Sequence, residues 1–155
     1  MELTDIFKAL GEDGFRDLTR SISISRLKTY QLYEGLKARA HLPKLNVQGL
    51  KKVTPRFWQR VSDGDGDLAA DLAQAVLVSN FDMMIEVLDF LEIPHEEGFF
   101  DKDLDASEIL KDDWQQRAYE QFKDKHPPPV LLFYINHLSW EITKDKTLYS
   151  PAGAD

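Results

Sequence analysis

The stretch Asp67-Leu-Ala-Ala-Asp-Leu-Ala-Gln-Ala-Val-Leu-Val-Ser-Asn80-Phe-Asp-Met-Met-Ile-Glu-Val-Leu-Asp-Phe-Leu-Glu-Ile93 decides the fold class. On a helical projection Asp67, Asp71, Gln74, Asp82, Glu86, Asp89 and Glu92 fall on one narrow stripe, and almost every other position is apolar. The pattern predicts a long helix from Asp67 to Ile93, ended by Pro94 and buried on most sides, with Leu72, Val76, Leu77, Met83, Met84, Val87, Leu88 and Leu91 packed against neighbours. Asn80 projects to the middle of the apolar arc. It is expected to be a buried amide in need of hydrogen-bond partners, either fixing helix register or forming a polar spot in a ligand pocket.

Helical signals continue in both directions. Upstream, Thr4 can cap a short helix reaching Leu10, and a second short helix covers Asp13 to Arg20. Ser21 to Ser25 alternates like a strand but has no obvious partner, so it reads as a connector whose Ser25 caps a helix from Arg26 to Ala40. Asn46 to Val53 forms another short helix, and Thr54-Pro55 restarts the chain with Thr54 as N-cap and Pro55 at the first helical position. Downstream, Asp105-Ala-Ser-Glu108 looks like a cap for a helix to Asp124 that sets Leu110, Trp114, Ala118 and Phe122 four apart. Pro127-Pro128-Pro129 suggests an extended spacer. Val130 to Thr143 is rich in β-formers, yet Leu131, Ile135, Leu138 and Ile142 repeat at helical spacing, and helix is the reading adopted. The expectation is an all-α fold, with a single compact helical domain over residues 1–144 of about six to eight helices around the long central one, and a flexible C-terminal tail over residues 145–155.

Composition limits the function classes. A chain of 155 residues falls in the ordinary single-domain range. Cysteine is absent, which excludes a disulfide framework and the commonest zinc-finger and iron–sulfur ligand sets. The longest uninterrupted apolar run, Val130 to Ile135, is far too short to span a bilayer as a helix, and the first residues carry acids where a secretory leader carries a basic region. A cytoplasmic location with no membrane contact is therefore expected. The net charge of −8 conceals a split, because residues up to Ser62 carry +6 and the remainder −14. Nine basic side chains from Arg26 to Arg60 face one acid, Glu34. Such a segment either meets anions or nucleic acid, or docks on the acidic part of its own molecule.

Several motifs have plainer readings. Asp63-x-Asp65-x-Asp67 opens like a calcium loop, but Leu68 stands where the loop needs glycine and Gln74 where it needs a bidentate glutamate. Asp101-x-Asp103-x-Asp105 fails at Ala106 and Asp112 in the same way. Both are read as helix caps, and no metal or cofactor is expected. Gly64-Asp-Gly66-Asp-Leu-Ala69 resembles a relaxed dinucleotide fingerprint, yet no apolar strand precedes it and its two acids repel a pyrophosphate.

Two clusters remain as candidate sites. His137 and Glu141, four apart on the last helix, share a face next to Phe133, Asn136 and Trp140; with His95-Glu96-Glu97 close by they would form a metal or acid–base arrangement, and the plainer reading is an ordinary helix pair under a second packing layer. Lys51, Lys52, Arg56, Trp58 and Arg60, with Phe57, interleave cations and aromatics as nucleic-acid surfaces do, arginine gripping phosphate while a ring stacks on a base; the plainer reading puts Phe57 and Trp58 in the core and the arginines in solvent. Two short helices around Gly49 and Thr54-Pro55 would also imitate a helix-turn-helix. No persuasive catalytic set emerges. The leading expectation is a non-enzymatic interaction or regulatory module that binds another macromolecule, in the first instance a protein. Nucleic-acid binding through residues 26–60 and a small metal-dependent or acid–base hydrolase are the alternatives.

Overall fold

The computed structural model describes residues 1–23, 47–101, 103–144 and 146–151, with side chains from Lys52 onward in the helix that begins at Val47. The expected helix from Arg26 to Ala40 and its Ser25 cap lie outside the described residues. Among those described, the chain is all-α, with seven helices: α1 Leu3–Lys8, α2 Gly11–Arg20, α3 Val47–Ser62, α4 Gly66–Ser79, α5 Phe81–Phe90, α6 Trp114–Phe122 and α7 Pro128–Ile142. No single helix among them is long and apolar enough to cross a membrane. The chain divides into two compact units, Leu3–Asn80 and Phe81–Asp155 with Met1–Glu2.

That boundary falls inside the stretch expected to be one helix, and the correction has a local cause. Asn80 terminates α4 at φ −130° and ψ 37°. Its side-chain Nδ2 donates to the Val76 carbonyl at 2.7 Å, while its backbone N–H turns to Leu77 at 3.1 Å. The amide thus occupies the carbonyl that the next helical N–H would need, the competition with the ladder that keeps asparagine out of helix interiors. The same Nδ2 donates to Ser21 Oγ at 3.2 Å. Asn80 is therefore a half-buried, satisfied helix terminus and not a polar spot in a pocket. The polar stripe largely survives the break, because Asp67, Gln74, Asp82, Asp89 and Glu92 are exposed while Asp71 and Glu86 are half-buried.

Within Leu3–Asn80, α1 to α4 bury Ile6, Phe7, Phe15, Leu18, Phe57, Val61, Leu68 and Leu72. Phe15 meets Phe7 edge-on at 5.8 Å and Trp58 at 5.3 Å, the ring spacings at which aromatic pairs attract. The expected restart at Thr54-Pro55 does not occur, since α3 runs continuously through Pro55. Thr54 caps nothing; it is buried and its hydroxyl meets Thr19 of α2 at 3.2 Å. A helix-turn-helix around Gly49 is thereby removed. Asp65 does cap, accepting from Leu68 N–H at 3.0 Å to start α4.

Within the second unit, α5 ends in a turn in which Ile93 N–H reaches Leu88 O at 3.0 Å and Glu92 N–H reaches Asp89 O at 3.1 Å. This is a Schellman closure with Glu92 in the left-handed region at φ 60°. Phe90 and Phe122 meet edge-on at 5.6 Å, and Glu86 of α5 bonds both Lys125 and His126 beyond α6. The helix expected from Asp105 starts only at Trp114. Asp105 Oδ1 accepts from Ser107 N–H two residues ahead at 3.0 Å and so makes a tight turn instead of a cap, while Ala106 N–H is drawn to Ile142 O at 2.8 Å. Pro127 alone is extended. Pro128 and Pro129 open α7, where a missing N–H costs nothing. Val130 to Ile142 is helix throughout, so helical spacing prevails over β-propensity.

Two substitutions test these termini by denaturant melts. Asn80→Asp removes both donations and puts a carboxylate at the negative end of α4, and should cost about 1–3 kcal/mol. An unchanged midpoint would mean the amide does not end the helix. Glu92→Gly relieves the left-handed strain and should stabilise by about 1 kcal/mol; a loss of stability would count against the closure.

Candidate functional site

Helix α7 is buried nearly all round, including the polar side chains Asn136, His137 and Ser139, which are at most 4% exposed. Apolar burial accounts for its Val130, Leu131, Ile135 and Leu138. A buried polar group, however, must find partners or forfeit about 1–3 kcal/mol. Asn136 finds its partners, and Ser139 one of its two, in the segment expected to be a loose tail; the other partner of Ser139 is the Thr143 hydroxyl.

Asn136 Nδ2 donates to the Tyr149 carbonyl at 3.2 Å, and Tyr149 N–H donates to Asn136 Oδ1 at 2.7 Å. One side-chain amide thus meets both main-chain groups of one residue. Two residues earlier, the Thr147 carbonyl accepts from Gln115 Nε2 of α6 at 3.1 Å and from Ser139 Oγ of α7 at 3.4 Å. Residues 146–151 therefore run as a non-helical strap along α6 and α7, with every one of these bonds made to the strap's main chain. The side-chain contacts are lighter. The Tyr149 ring lies 6.0 Å from Tyr119, Lys146 Nζ stands 5.9 Å from the Trp140 ring, and Leu148 is 40% exposed. Beside the strap, Ser107, Leu110, Lys111, Gln115, Ser139 and Thr143 line an open cleft of about 190 Å³.

The acid–base arrangement expected on α7 is only partly assembled. His137 Nδ1 lies 3.6 Å from Glu141 Oε2, too far for a hydrogen bond, and it has no hydrogen-bond partner among the described residues. Phe133 and Trp140 flank the imidazole at 5.7 and 5.6 Å. Burial pushes the His137 pKa down to about 4, so the ring is neutral at physiological pH. The same cause raises the Glu141 carboxyl. Tyr134 Oη, one turn earlier, is also buried without a partner, and burial followed by the Glu141 charge raises its pKa far above the ordinary value. The ring nitrogens of His95 are engaged elsewhere. His95 Nδ1 accepts from Gly98 N–H at 3.0 Å and Nε2 meets Asp89 Oδ1 at 2.6 Å, which fixes the proton on Nε2 and commits both nitrogens.

The basic candidates divide. Lys52 and Arg56 are exposed on α3, and the Lys51 side chain lies outside the described residues. Arg60 is paired with Asp65 through Nε at 3.0 Å and Nη2 at 2.6 Å. Phe57 is fully buried, and Trp58 is half-buried against Phe15, where it helps line a small recess with Pro55 and Arg16. No three histidine, aspartate or glutamate side chains converge on one point among the described residues. Asp63 accepts from Gln59, and Asp101 Oδ1 closes a turn on Asp103 N–H at 2.9 Å.

No protein-family model matches the chain, and neither a curated protein nor a solved structure matches it. Sequence reasoning found Asn136 and Trp140 but missed Gln115, Tyr119, Ser139, Thr147 and Tyr149. The available signal was Asn136 and Ser139 three apart on a largely apolar helix, two polar groups on neighbouring turns asking for partners.

The buried imidazole generates a pH test. Its folded pKa, about 4, lies below the unfolded value of about 6.5, so between those values only the unfolded chain takes up the proton. Stability from this group is complete above about pH 6.5 and falls as the pH drops towards 4, by an order of 3 kcal/mol. Urea melts at pH 7 and pH 4.5 should show His137→Phe losing less stability over that interval than the native chain. Equal losses would place the acid sensitivity elsewhere.

Proposed function

We propose that this chain is a non-enzymatic interaction module that binds an extended peptide segment of another protein in the groove between α6 and α7. The observation that carries the reading is the double pairing of Asn136 with the main chain of Tyr149. Its amide is 0% exposed. Without an extended chain beside it, both of its groups lose their partners at about 1–3 kcal/mol each. Gln115 and Ser139 add two further contacts to a main-chain carbonyl. Main-chain contacts supply affinity for any extended segment, as in strand addition to a sheet edge. The chain's own strap is the resident occupant.

Acid–base hydrolysis draws less support. The His137 imidazole is buried between two aromatic rings and out of hydrogen-bond range of Glu141. Nucleic-acid binding retains Lys52 and Arg56, with Arg60 already paired.

The test uses a fluorescent peptide with the sequence of residues 144–151. Tyr149→Pro in the full chain removes the N–H that Asn136 Oδ1 accepts and should loosen the strap. By anisotropy, this variant should bind the peptide saturably and the native chain several-fold more weakly, because its own strap competes. Adding Asn136→Ala should reduce affinity about tenfold. Absence of saturable binding by a Tyr149→Pro chain of native helicity would sink the proposal.

A further inference from the structure

The strap shows more than the presence of a groove; its contacts are spaced. The Thr147 carbonyl and both main-chain groups of Tyr149 turn to one wall, as alternate residues of an extended strand do. Chain direction and register are thereby set by three side chains, Gln115, Ser139 and Asn136. Once register is fixed, each neighbouring side chain of the occupant has an assigned place.

Those places differ in chemistry. At the Tyr149 position the ring is half-buried and faces Tyr119 at 6.0 Å. Burial there, then the nearby Glu120 charge, keeps the Tyr149 hydroxyl protonated. Glu120 is itself held by Lys123 at 2.8 Å, and the balance of burial and these two charges still favours the neutral ring. This place suits a neutral aromatic. Three residues earlier, Lys146 Nζ stands 5.9 Å from the Trp140 ring, within the range where a cation is attracted to an aromatic face. Trp140 is half-buried, its ring braced on the His137 imidazole at 5.6 Å, so the platform stands ready before the cation arrives. Between these two places Leu148 is 40% exposed, an open position.

We infer that the groove selects extended segments carrying a lysine or arginine three residues before a neutral aromatic, with the residue immediately before the aromatic left free to vary. This rests on the reading of the groove as a peptide site and adds the class of ligand. The two readings make separable demands, because main-chain pairing treats all extended peptides alike whereas the two side-chain places do not.

The experiment keeps the protein constant. The Tyr149→Pro full chain, loaded with the labelled peptide of residues 144–151, is titrated with four unlabelled peptides: the parent sequence and its Tyr149→Ala, Lys146→Glu and Leu148→Lys forms. The parent and Leu148→Lys peptides should compete within about twofold of one another, Tyr149→Ala about fivefold or more weakly, and Lys146→Glu about threefold more weakly. Equal competition by all four would overturn the selectivity while leaving the groove a peptide site. If Leu148→Lys gained as much as Lys146→Glu lost, binding would follow net charge and the assigned place over Trp140 would be wrong. Failure of the labelled parent to bind at all would remove both readings.

Discussion

A side-chain amide taken out of water has to find its hydrogen bonds in the chain, and two asparagines under that constraint shape much of this molecule. Asn80 takes the carbonyl of the residue four before it and so ends α4, dividing an apolar stretch whose side-chain pattern alone would have continued. Asn136 cannot do the same. It lies fully buried in the middle of α7 and takes the main chain of Tyr149 instead. One amide sets where a helix stops, and the other sets where a distant segment lies.

The legible part of the fold was the part written in periodicity. Helical identity was readable for α7 from Leu131, Ile135, Leu138 and Ile142, and for α6 from the buried spacing of Trp114, Ala118 and Phe122. The polar stripe from Asp67 to Glu92 marked exposed positions at five of its seven residues, on both sides of a break it gave no hint of. Misreadings gathered where one local bond outweighs a pattern. Asp105 looked like a cap but closes a turn on Ser107, and Thr54 looked like a cap but meets Thr19 across a helix contact. Capping strings state that a donor can be met, not which donor. The groove was half legible for a related reason. Asn136 stood out as a polar residue on an apolar helix, whereas the strap is held through its main-chain atoms, which every residue carries.

Helix α7 also holds groups that no pairing satisfies. Tyr134 Oη and His137 Nδ1 lie on one face with Glu141, and both are buried without a hydrogen-bond partner among the described residues. Each costs on the order of 1–3 kcal/mol, a large share of the roughly 5–15 kcal/mol by which a domain is stable. The surrounding packing offsets that cost, and the neighbouring Phe133 and Trp140 rings hold the imidazole neutral and fixed. The stiffness extends to the strap, because Trp140 packs on His137 and lies beneath Lys146.

The Tyr149 amide hydrogen belongs to a segment without regular secondary structure, where exchange with solvent deuterium is ordinarily fast. Because it is held by a fully buried oxygen of α7, it should exchange only when the strap lifts away. Its exchange rate then measures how often the groove stands vacant, so the resting molecule carries its own gauge of availability.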